Sequence, residues 1–158
     1  MKKKINMFVS YAHNNNVLVD RFLDEFEEYC HCSKTYEYNI WRDHKILIGE
    51  KWEEEIIKAI DECDCGLLLL STSFLNSPYI KNVELVKLTN DNKILLPVGF
   101  RKFNLERHDL LGLKEKQIFM YRAKGSPRAK FFSDIKGQRR TDFIDALFVE
   151  IEDRLNKE

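Results

Sequence analysis

Hydrophobic and polar positions alternate between two rhythms along the chain. Five short runs are dense in apolar residues: "INMFVSY" (5–11), "YNIW" (38–41), "GLLLLS" (66–71), "KILLPV" (93–98) and "QIFMY" (117–121). Four are nearly continuous, which is how a strand reads when helices cover both of its faces. Between them the period changes to that of a helix. Residues 17–29 place Leu18, Phe22, Phe26 and Tyr29 on one face, and residues 52–63 do the same with Trp52, Ile56, Ala59, Ile60 and Cys63. Ser77 before Pro78 reads as an N-cap and a first-turn proline, opening a helix that runs past Glu84, Val86 and Leu88 and stops near "NDN". Residues 142–155 carry a last stripe of Phe143, Leu147, Ile151 and Leu155. The stretch 98–117 is the least periodic, with room for a short helix in "RHDLLGL".

Strands alternating with helices imply right-handed crossovers and a parallel sheet with helices on both faces. The expectation is an α/β three-layer fold whose five-stranded sheet runs in the order 2-1-3-4-5. Ligands of open α/β sheets bind beyond the carboxyl ends of the strands where the strand order reverses, here between strands one and three. Three loops meet at that rim: "SYAHNNN" (10–16), "STSFLNSPYIKNVE" (71–84) and, after strand two, "WRDHKILIGEKW" (41–52). The last holds both tryptophans of the chain, one at each end.

Charge and composition narrow the partners. Basic and acidic residues balance at 26 each, so no global field points to nucleic acid or to an anionic membrane. At 158 residues with 44% hydrophobic residues, the chain fits a single domain spanning 1–158. The apolar run near the N-terminus is far shorter than the roughly 7–15 residues of a secretory h-region. No stretch approaches the roughly 20 apolar residues of a membrane span, so a cytoplasmic protein is expected. The four cysteines form two C-x-C pairs, Cys30/Cys32 and Cys63/Cys65. Zinc is one reading of them; ordinary thiols at the ends of apolar helix stripes are the other, and no metal is assigned. The basic segment from Arg122 to Arg140 is a solvated loop or a phosphate or partner contact.

Three stretches, in order and spacing, resemble the signature regions of TIR (Toll/interleukin-receptor) domains, most closely the bacterial ones: "FVSYAH" at the end of strand one, "WRDHKILIGEKWEEEI" after strand two, and "LLLLSTSFLNSPYIKNVEL" after strand three. The resemblance covers residues 5–155 and implies a flavodoxin-like fold. It also implies one of two functions. Many TIR domains cleave the nicotinamide–ribose bond of NAD+ to give nicotinamide and ADP-ribose, or a cyclic or conjugated ADP-ribose signal. Others are adaptors that only bind further TIR domains. The family's catalytic glutamate lies early in the helix after strand three, and Glu84 falls there. Related enzymes carry an aromatic four residues before that glutamate; here position 80 is Ile and Tyr79 stands five before, so either one residue is inserted or the helix starts elsewhere.

One carboxylate suffices for such a cleavage. Nicotinamide leaves a cationic pyridinium as a neutral group, so it needs no general acid, and the ribosyl carbon passes through an oxocarbenium-like state that a carboxylate stabilises. By the resemblance Trp41 stacks on the substrate, a contact worth roughly 1–3 kcal/mol by analogy with base stacking; core filling is its alternative. Trp52 is assigned to packing with Ile56 and Ile60. Asp43 braces the loop or touches ligand, and Gly49 permits a turn closed to other residues. Ile46, Leu47 and Ile48 are expected to make TIR–TIR contacts. Ser10, Tyr11 and His13 flank the phosphate and ribose region, with Ser71, Phe74 and Tyr79 on the strand-three rim; His13 is binding only, since nothing orients it as a base.

The reading is therefore an NAD+-cleaving bacterial TIR domain, with NAD+ as substrate and no further cofactor. A bare domain of this kind fits antiphage defence of the Thoeris type, where a nucleotide signal reaches a separately encoded effector. The alternative is a non-catalytic adaptor or decoy acting through TIR–TIR assembly. A nucleoside deoxyribosyltransferase relative also places a glutamate near a ribose, but "KILIGEKW" argues for TIR. A response-regulator role is disfavoured because Ser71 stands where a phosphoacceptor Asp would be needed.

Overall fold

A computed structural model describes residues 1–42 and 51–158. The elements follow the two rhythms of the sequence: β1 (Lys3–Ser10), α1 (Asn16–His31), β2 (Tyr36–Trp41), α2 (Trp52–Glu62), β3 (Cys65–Leu70), a single turn α3 (Thr72–Leu75), a π-helical segment (Ile80–Glu84) leading into α4 (Leu85–Asn90), β4 (Ile94–Gly99) and α5 (Gln138–Asn156). Four parallel strands form one sheet in the order β2-β1-β3-β4.

Alternating residues along each strand divide the interior in two. Ile5, Met7, Val9, Leu67, Leu69 and Val98 face α1 and α5 and join Phe22, Phe26, Phe143 and Leu147 there. Phe8, Leu68 and Leu70 face the other way, where α2 and α4 contribute Ile56, Ile60 and Leu88. β3 is buried at all six positions, which accounts for its unbroken apolar sequence. Gly66 on this strand lets the Leu88 side chain approach; a Cβ there would stand 3.1 Å from it.

The expected fifth strand is reduced to a single bridge. Phe119 receives the Gly99 N–H and donates its own to the Pro97 carbonyl, both at 2.8 Å, and then the chain turns so that Tyr121 pairs antiparallel with Lys130. Pro97 points its backbone at this edge but has no N–H to give, so the ladder cannot extend back toward Gln117. Gly99 is also a close approach: a Cβ there would collide with Met120 Sδ and lie 3.1 Å from Phe131. "RHDLLGL" forms turns instead of a helix, with Asn104 Oδ1 accepting from Glu106 and Arg107 N–H and Leu111 at φ 55°.

Ser77 caps its helix as its sequence implies, its Oγ accepting the Ile80 N–H at 3.2 Å. Among the described residues no helix is long and apolar enough to cross a membrane.

Phe22 is fully buried and its ring meets those of Phe26, Phe100 and Phe132 at centroid separations of 5.2–5.4 Å. Phe22→Ala is expected to cost about 3–5 kcal/mol, read as a lower urea midpoint with an unchanged slope.

Candidate functional site

β1 and β3 are neighbours whose carboxyl ends open on the same rim, and the helix following β3 returns across the face that carries Phe8 and Ser10. Ser10 closes β1 and is 1% exposed; its Oγ donates to Glu84 Oε1 at 2.7 Å. Glu84 is itself 6% exposed, unlike Glu53, Glu54 and Glu62, which lie open to solvent on α2. A carboxylate withdrawn from water is costly unless donors meet it, and such acids mark a site more often than a surface.

Glu84 ends the π-helical segment, in which the Leu85 N–H reaches back to the Ile80 carbonyl. Segments of this kind amount to a local widening of the helix and recur at functional sites. Ile80, Glu84, Leu85 and Leu88 are all buried along this side of the helix.

Trp41 ends β2 in register with Phe8 and stacks on that ring, centroids 5.2 Å apart and planes 14° from parallel. It is half-buried, so part of the indole stays open. Phe8 and Ser10 are two residues apart on one strand and share a face, a spacing of about 6–7 Å. The acid and the aromatic are thus brought to adjoining positions over β1.

The other sequence-predicted residues divide. Ser71 is fully buried and its Oγ accepts the Phe74 N–H at 3.0 Å, capping α3. Phe74 is fully buried in the core beneath the rim, with no ring face left for a ligand, so its place is in packing. Tyr11 joins the core on the α1 and α5 side, away from the face of Ser10, and its ring stands 5.7 Å from that of exposed His13. Tyr79 is half-buried and lies against Trp52, centroids 4.8 Å apart. Trp52, assigned from its stripe to packing, is 43% exposed. As the first residue of α2 it sits at the rim, before the helix has turned its apolar face fully onto the sheet. Asp43, Gly49 and the tip Ile46, Leu47 and Ile48 lie outside the described residues.

Sequence reasoning missed Arg42. It is 6% exposed and anchors the end of β2 to α1 through Asp20 (3.6 Å), Asp24 (3.2 Å) and Glu27 (3.0 Å). The signal was present: those acids fall at successive turns of one helical face.

Among the described residues no group of three or more His, Cys, Asp or Glu side chains could hold a metal ion. Cys30, Cys63 and Cys65 are buried and Cys32 is exposed. Burial drives the Cys30 and Cys65 thiols far above their ordinary range and pushes Cys63 up to about 11.

Comparison with known families matches residues 7–134 to the TIR domain, and the chain belongs to that family. A comparison with curated proteins found no match.

An aqueous thiol reagent at pH 8 is expected to modify one cysteine in the native protein and all four after denaturation. Mass spectrometry of the labelled peptides should locate that one at Cys32; fast labelling of Cys63 or Cys65 would contradict the packing described.

Proposed function

We propose that this TIR domain cleaves the nicotinamide–ribose bond of NAD+, with Glu84 as the catalytic residue. The observation that carries the reading is the buried Glu84 carboxylate, held by Ser10 at the carboxyl end of β1 beside the partly open face of Trp41. Parallel α/β sheets bind ligands at this point, between neighbouring strands whose connections diverge.

The step needs little from the protein. As the C–N bond lengthens, its electron pair goes to the pyridinium ring, and nicotinamide leaves neutral. Positive charge gathers on the ribosyl carbon and ring oxygen, where the Glu84 carboxylate lowers the energy of the oxocarbenium-like state. Water then adds to the ribosyl carbon and loses a proton, giving ADP-ribose. A nucleophile on the same nucleotide, or on another molecule, in place of water gives a cyclic or conjugated product. Trp41 supplies a stacking face, with Ser10 and His13 toward the ribose and phosphates and Tyr79 on the rim after β3. No cofactor beyond NAD+ as substrate is required.

The setting we assign is bacterial antiphage immunity of the Thoeris type, in which the product is a signal read by a separately encoded effector and the domain assembles through TIR–TIR contacts. The support is the likeness of the three rim stretches to bacterial TIR domains. A non-catalytic adaptor would have no use for a buried acid at this rim.

Glu84→Gln keeps the shape and the Ser10 contact while removing the charge. Nicotinamide release from NAD+, followed by chromatography under crowding that promotes assembly, is expected to fall by at least about 100-fold, the scale of losing one transition-state electrostatic contact. Equal release by a folded Glu84→Gln protein would overturn the assignment.

A further inference from the structure

The proposed reaction makes no use of the basic segment from Arg122 to Arg140. It holds seven basic residues and one acid, so the rest of a chain that is neutral overall carries a net charge of −6. The fold gathers this segment at the carboxyl end of β4. Phe119 runs parallel to β4 beside Val98, so the chain continues past the end of that strand, turns at Gly125 (φ 83°) and comes back to pair Lys130 with Tyr121. Ser133 then docks on the strand end: its N–H goes to the Phe100 carbonyl at 2.8 Å and its Oγ accepts the Lys102 N–H at 3.2 Å. Arg101 and Lys102 are thereby set beside the segment, and α5 starts a few residues on at Gln138.

Two of the cations serve the fold. Arg122 braces the turn by donating to the Pro127 carbonyl at 2.7 Å, and Arg140 donates its Nε–H to the Ile135 carbonyl at 2.8 Å with its guanidinium 5.0 Å above the Phe132 ring. Lys124, Arg128, Lys136, Arg139, Arg101 and Lys102 are exposed. Among the described residues none of these six pairs with a carboxylate, and Asp134, the segment's one acid, accepts the Phe131 N–H at 3.2 Å. Like charges held together on a braced frame repel one another, and a polyanion laid across them relieves that repulsion.

The apolar side chains of the segment decide which polyanion fits. Phe131, Phe132 and Ile135 are buried and Tyr121 is half-buried, while the exposed large hydrophobic residues Met1, Val17, Trp52, Val86 and Val149 all lie elsewhere. A surface that seats on a bilayer presents apolar side chains for insertion, and one that holds a single strand presents aromatic rings on which bases stack. A surface of cations alone suits a phosphate backbone whose bases are paired away from it.

We propose that the cationic surface formed by the 122–140 segment with Arg101 and Lys102 docks the phosphate backbone of a double-stranded nucleic acid, without reading its sequence. The surface lies at the same end of the sheet as Ser10 and Glu84 but does not depend on the chemistry assigned to them.

The test is fluorescence anisotropy of short labelled duplexes, one of DNA and one of RNA, titrated with the full chain in the absence of NAD+, so the outcome is independent of the Glu84 assignment. The expected result is saturable binding whose association constant falls roughly 100-fold between about 50 and 200 mM salt, as for about four phosphates neutralised. Lys124→Gln with Arg128→Gln, and separately Lys136→Gln with Arg139→Gln, should each weaken binding and lower the salt slope by about two. Lys2→Gln with Lys34→Gln removes the same charge from the opposite end of the sheet and should leave the slope unchanged; all three pairs are exposed, and an unaltered urea midpoint confirms folding. Binding to one duplex alone names the source of the backbone. No binding to either duplex at about 50 mM salt overturns the proposal. So does an equal loss in the Lys2/Lys34 pair, tighter binding to a single strand of the same length, or retention by phosphatidylserine vesicles in place of the duplexes.

Discussion

A buried hydrogen bond, from Ser10 at the end of β1 to Glu84 on the helix after β3, joins the sheet to the acid of the candidate site. An ionisable side chain that is 6% exposed has forfeited most of its hydration, and it stays there only because the surrounding structure supplies polar partners. That supply depends on topology. β1 and β3 are neighbours although the chain visits β2 between them, so residues 74 apart in sequence meet at one rim. Trp41 reaches the same face because β2 pairs in register with β1, setting its indole on Phe8 two residues from Ser10. Any shift of that register by one residue would turn Trp41 to the other side of the sheet.

The family and the framework were legible in the chain because burial on both faces writes itself as unbroken apolar runs, and helices as stripes. The Ser77–Pro78 cap carried its own boundary, and the stripe of the last helix marked its C-terminal end, whereas α5 begins at Gln138, ahead of the expected start at Asp142. The fifth strand misled because "QIFMY" has a strand's composition, whereas its pairing is limited by a residue elsewhere, Pro97, which lacks the N–H the ladder needs. Composition describes a segment's preference; pairing depends on what the partner can donate.

At the site the misreadings have a common source. Phe74 and Trp52 were exchanged: the rim residue Phe74 is in the core, and the stripe residue Trp52 is on the rim. Both stand in the first turn of a helix, where position along the axis decides exposure and the 3.6-residue period does not report it. The five-residue spacing from Tyr79 to Glu84 was a visible irregularity in the sequence, and the π-helical turn is its physical counterpart, an extra residue absorbed without displacing the buried side of the helix. Arg42 shows the opposite case. A charge beside the rim can be structural, tying β2 to three acids of α1 and keeping Trp41 where it is.

The most direct test of this account is a double-mutant cycle on unfolding free energy with Ser10→Ala, Glu84→Gln and the pair, each measured by chemical denaturation. If the two side chains are bonded in the interior, the single changes are non-additive, with a coupling of about 0.5–3 kcal/mol. Additivity within about 0.3 kcal/mol would mean that the carboxylate is not held by β1, and the acid at the rim would lose the support that the rest of the account assumes.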